Sequence, residues 1–95
     1  MVKDVIKYNK KDYQLSTVFL ENMALFETMI FSIENGVVSG EEVYCFRTMD
    51  AGESKYKHED IYESPEKYLS DKAIEKYFAC KKCEEWCCTM CQYFG

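Results

Sequence analysis

Three runs of β-type sequence follow one another with too little chain between them for a crossover. In residues 13–20, YQLSTVFL, β-branched and aromatic residues alternate, so Tyr13, Leu15, Thr17 and Phe19 share one face. Residues 25–33, LFETMIFSI, are apolar on both faces except at Glu27, Thr28 and Ser32, which suits a central strand. Residues 43–48, VYCFRT, make a third run. The segment ENMA joins the first two, and ENGVVSGE, with turn signals at Asn35-Gly36 and Ser39-Gly40, leads towards the third. Parallel neighbours need a crossover of a dozen or more residues, so these strands pair antiparallel.

The hydrophobic period then lengthens. Thr48 or Asp50 caps a helix running to about residue 62, with Gly52 weakening its first turn. Ser64-Pro65-Glu66-Lys67 starts a second helix, with Ser as the cap and Pro at the first helical position. Leu69, Ala73, Ile74, Tyr77 and Phe78 form its apolar stripe, so it reaches about residue 79. The expected fold is α+β, a three-stranded antiparallel sheet followed by two helices and a C-terminal Cys-rich zinc-binding segment. Ninety-five residues make one domain, 1–95. It divides into a flexible or charged N-terminal arm (1–11), an α+β body (12–79) and a Cys-rich metal-binding tail (80–95).

Charge narrows the function classes. The chain carries 12 basic and 17 acidic side chains, and a formal charge of −5. That argues against generic binding to free DNA, which needs a basic footprint. Acidity concentrates after residue 40, where Glu41, Glu42, Glu53, Glu59, Asp60, Glu63 and Glu66 form a candidate partner-binding set for a basic surface. Charges at positions 3, 4, 7, 10, 11 and 12 leave no apolar leader, and no run is long enough to span a membrane, so a cytoplasmic location is expected. The sequence gives no oligomeric state.

In a reducing compartment, clustered cysteines read first as metal ligands. The ending CKKCEEWCCTMCQYFG holds five of the six cysteines. Two C-x2-C pairs, Cys80/Cys83 and Cys88/Cys91, suit a tetrahedral structural zinc, with Cys87 an alternate to Cys88. Against this, the spacer between the pairs is shorter than in ordinary zinc ribbons. On a helix, Cys80, Cys83, Cys87 and Cys91 instead fall on one side, supplying half a site that His58 or Cys45 completes. Disulfides and an iron–sulfur cluster are the competing readings. Trp86, inside the cluster, either anchors a partner or packs over the metal against Phe78. With one His, no phosphate loop and no nucleophile motif, the chain is expected not to be an enzyme.

The stretch STVFLENMALFETMIFSI, followed by YCFRTMDAGESKYKH, resembles a recurring type of short protein encoded by phages and mobile elements. The likeness rests on Ser16-Thr17-Val18-Phe19-Leu20, on Phe26 to Phe31, on Phe46-Arg47-Thr48 and on His58. Related sequences often carry a longer, Gly-rich connection where this chain has ENMA. Joined to a compact Cys-rich end, this body is similar to the small prophage-encoded anti-CRISPR proteins of Gram-positive hosts. The resemblance implies a phage-encoded inhibitor that binds the host type II CRISPR effector nuclease and blocks its DNA targeting, some such inhibitors holding structural zinc. The alternative is a small zinc-containing nucleic-acid-binding or transcription regulator of a mobile element.

Overall fold

The structure, a computed structural model, describes residues 2–82, and for residues 80–82 the backbone alone. Strands β1 (Val2–Tyr8), β2 (Lys11–Leu20), β3 (Leu25–Glu34) and β4 (Val37–Thr48) form one antiparallel sheet in sequence order. Helices α1 (Ala51–Glu63), α2 (Glu66–Leu69) and α3 (Asp71–Lys82) follow. The α+β class with an antiparallel sheet is as expected, but the sheet has four strands, not three. No helix among the described residues is long and apolar enough to cross a membrane.

The extra strand occupies the segment expected to be a charged arm. Asn9 and Lys10, at φ 52° and 66°, make a two-residue left-handed turn that sets Tyr8 opposite Lys11. Charge hid the alternation. Asp4 and Ile6 face the helices, so the strand's buried side reads carboxylate then isoleucine, and Lys3, Val5 and Lys7 take the other side.

The remaining turns follow local chemistry. Asn35 (φ 53°) and Gly36 (φ 78°) close the β3–β4 hairpin as the sequence signalled. ENMA turns without glycine because Ala24 takes φ 53°, with the Met23 and Ala24 N–H groups donating to the Leu20 and Glu21 carbonyls. Ser39-Gly40, read as a second turn, lies instead inside β4, where the register slips between Ile33↔Val38 and Phe31↔Glu42. Extra residues on one strand are absorbed there as a bulge rather than a reversal.

In the helices, Asp50 is the cap: its carboxylate accepts the Glu53 N–H at 3.0 Å, while the Thr48 hydroxyl accepts the Asp50 N–H at 3.1 Å. The single second helix expected from residue 64 onwards is broken at Ser70, whose ψ of 155° ends α2. Its hydroxyl then accepts the Ala73 N–H and starts α3. Ser64 is no side-chain cap; its N–H donates to the Asp60 carbonyl and closes α1.

The core lies between one sheet face and the helices. Ile6, Tyr13, Leu15 and Ile30 rise from the sheet to meet Ile61 of α1 and Leu69 of α2. Leu15, Ile30 and Ile61 are fully buried, each side chain contributing about 1.5–3 kcal/mol. Because Ile6 belongs to this cluster, Ile6→Ala is expected to destabilise the fold by about 2–5 kcal/mol in chemical denaturation. A free N-terminal arm would show no change.

Candidate functional site

Helix α1 presents a different chemistry on each side. Its inward stripe is Ser54, His58 and Ile61, of which only Ile61 is apolar. His58 stands over the sheet between β1 and β2. Its Nε2 lies 2.7 Å from Asp4 Oδ2 and its Nδ1 2.7 Å from Thr17 Oγ1. Thr17 Oγ1 is in turn 2.8 Å from Thr28 Oγ1 on β3. The sheet register explains the meeting: Thr17 and Thr28 are direct cross-strand partners, and Asp4, opposite Leu15, sits one diagonal step from Thr17.

With a neutral imidazole the proton count runs one way along this chain. A carboxylate only accepts, so Nε2–H donates to Asp4; in the neutral imidazole Nδ1 then accepts from the Thr17 hydroxyl. Thr17 accepts in turn from Thr28, which is 1% exposed. Carboxylate, imidazole and hydroxyl in this order are also the parts of an activated nucleophile. Here both contacts of the Thr17 oxygen face into the helix–sheet seam, and the arrangement joins two layers.

His58 is also the residue expected to complete half a metal site; in this structure side chains meet both of its ring nitrogens. The other ligand candidates Cys80, Cys83, Cys87, Cys88 and Cys91, with Trp86, lie outside the described side chains. Among the described residues no group of three or more His, Cys, Asp or Glu is placed to hold a metal ion. Cys45, half-buried on β4, donates to Glu27 Oε2 at 3.8 Å. Burial, then the Glu27 charge, pushes its thiol up to about 11, so it stays protonated at neutral pH. Glu27 itself is 7% exposed and is held by Arg47 Nε at 2.7 Å.

The acidic set divides into engaged and open members. Asp60 accepts from the Tyr68 hydroxyl and from Lys67, at 3.2 Å, which together hold its carboxyl below the usual carboxylate range. Glu42 accepts the Tyr77 hydroxyl at 2.8 Å, and burial followed by that bond raises the tyrosine's pKa. Both acids thereby tie helices down. Glu41, Glu53, Glu59, Glu63 and Glu66 are exposed. Of these, Glu59 and Glu63 stand one turn apart on the outward side of α1, beside Tyr56 (67% exposed) and Tyr62 (53% exposed).

The placement of these two glutamates works against the helix. Their turns lie towards its C-terminus, where the macrodipole favours cations, and the last turn holds no basic residue. Like charges four residues apart add a further small repulsion. Sequence reasoning missed the two tyrosines, whose signal was their helical spacing from Glu59 and Glu63. It also missed Asp4, Thr17 and Thr28, although Thr28 stood out as a hydroxyl in an apolar strand.

Comparison with protein-family models, with curated proteins and with solved structures gives no match.

Thr17→Val keeps the shape and removes the hydroxyl at the middle of the chain of bonds. It strands His58 Nδ1 and the Thr28 hydroxyl, and is expected to cost about 1–3 kcal/mol in chemical denaturation. Thr17→Ser should recover most of that loss; equal stability of Thr17→Val and wild type would show that the linkage carries no weight.

Proposed function

We propose that this chain is a phage-encoded anti-CRISPR inhibitor, a binding protein that docks on the host type II effector nuclease and blocks its DNA targeting. The observation that supports this reading best is the outward side of α1, where Tyr56, Glu59, Tyr62 and Glu63 are exposed together. Glu59 and Glu63 cost the helix stability where they stand, and a basic partner surface would recover that cost. RNA-guided nucleases hold nucleic acid in positively charged channels, so such a surface exists on the proposed target. Exposed tyrosines beside the charges supply the apolar anchors from which tight interfaces draw most of their energy. Glu53, in the first turn of α1, and Glu41, on β4, are exposed acids outside this group. Asp60 and Glu42 act behind it, holding α2 and α3 in place.

The test is a cleavage assay with the purified nuclease, paired with a gel shift on free DNA. Glu59→Lys with Glu63→Lys should weaken inhibition by about 2–4 kcal/mol, at least tenfold in the half-inhibitory concentration. Glu21→Lys with Glu34→Lys, an equal charge change in the β2–β3 turn and at the end of β3, should leave it near wild type. Equal losses from both pairs would mean that net charge, and not this face, is recognised. Salt-sensitive binding of the protein alone to free DNA would replace the proposal by the nucleic-acid-binding regulator.

The proposal includes a structural zinc held by Cys80, Cys83, Cys88 and Cys91, with Cys87 as the alternate ligand. Two C-x2-C pairs supply four soft thiolates, the donor set zinc prefers. Metal analysis of the purified protein should find about one zinc per chain, and chelation should lower the melting temperature along with inhibition. Absence of metal with all six thiols titrating freely would remove zinc from the reading.

A further inference from the structure

The sheet is open, and β1 forms one of its edges. In a two-residue hairpin the flanking residues exchange both hydrogen bonds, so Tyr8 and Lys11 are a bonded pair. Alternation then commits the backbone groups of Val2, Asp4, Ile6 and Tyr8 to β2. It turns the N–H and C=O groups of Lys3, Val5 and Lys7 outward. The side chains of the same three residues lie on the sheet face away from the helices, because Asp4 and Ile6 between them face the helices. Lys3 and Lys7 are exposed, and Val5 is 64% exposed. One strip of β1 therefore presents unpaired backbone together with side chains in the order cation, β-branched, cation.

We propose that this edge accepts an added antiparallel strand from another protein, in a segment reading acid, any residue, β-branched apolar, any residue, acid. Backbone bonds at Lys3, Val5 and Lys7 supply affinity, and the two cations supply register, since a shift by one residue turns the acids to the wrong face. Charge decides the occupant. Lys3 stands opposite Ser16 within its own sheet, and Lys7 reaches Asp12 only at 4.0 Å with both side chains well exposed. Both cations thus remain available to an incoming carboxylate. A second copy of this chain fits poorly: pairing about a two-fold axis at Val5 sets Lys3 of each copy against Lys7 of the other, and directly opposed like charges destabilise. Lysine is also a common guard of free edges against self-association. The strip uses none of the residues on the outward side of α1, so the inference stands apart from the nuclease reading.

The probes are three capped heptapeptides, TETVTET, TKTVTKT and TETPTET, added to the full chain while backbone amide exchange is followed by NMR. Saturating TETVTET is expected to slow exchange at Lys3, Val5 and Lys7 by about tenfold or more, leaving Asp4 and Ile6 unchanged because β2 already holds them. The lysine and proline peptides should not do so, the first through repulsion and the second through its missing N–H. Lys3→Glu with Lys7→Glu should reverse the preference towards TKTVTKT. Should that variant not fold, the three peptides on the wild-type chain decide alone. Equal protection by TETVTET and TKTVTKT, protection on β4 instead of β1, or no protection by any peptide would overturn the proposal. Concentration-dependent protection of β1 without peptide would give the edge to a second copy, and would also overturn it.

Discussion

The contact on which the two layers of this fold depend is made by one imidazole. His58 bonds Asp4 on the sheet's edge strand and Thr17 on the next strand, and through Thr17 it engages Thr28 on the third. Helix α1 buries only one apolar side chain, Ile61, along its inward stripe. A helix with so little apolar area would be held loosely by hydrophobic burial alone, at about 1.5–3 kcal/mol per side chain. Directional bonds add what burial lacks here. They fix the rotation of α1 about its own axis, and hence which residues it turns outward.

That division of labour explains why the acids of the chain do unlike things. Asp4, Glu27, Glu42 and Asp60 each meet a donor and serve the architecture. Glu59 and Glu63 face outward near the C-terminal end of α1, where a helix favours cations. Four partnered acids and two ill-placed ones cannot be told apart by composition, yet they predict opposite consequences of mutation. Loss of the first kind weakens the fold, and loss of the second kind relieves it.

What the sequence revealed follows the same line. Residues 13–20 and 25–33 were readable as strands because a half-buried strand alternates and a central one does not. Asn35-Gly36 was readable because few other residue pairs adopt two consecutive positive φ angles cheaply. β1 escaped because its inward side carries Asp4, a charge whose partner, His58, lies 54 residues away. Ser70 escaped as a helix break because a serine reads equally well as interior or cap until its ψ is known. The site showed the same limit. Glu59 and Glu63 stood out as charges, whereas the relation of Asp4 to His58, Thr17 and Thr28 exists only in three dimensions. The five clustered cysteines were prominent in the sequence and lie beyond the described side chains.

The strand order has a consequence for how the molecule assembles. Each strand pairs with its neighbour in the chain, so the whole sheet is a meander of successive hairpins. Contacts of that kind close short loops and form quickly, whereas the Asp4–His58 bond bridges a sequence separation of 54 residues. During synthesis the sheet can thus zip up strand by strand as it emerges, with its inner face still open to solvent. Closure waits until α1 arrives. An edge strand made first is therefore locked last, and the interval between the two is when this chain is most open to capture by chaperones, proteases or its own neighbours.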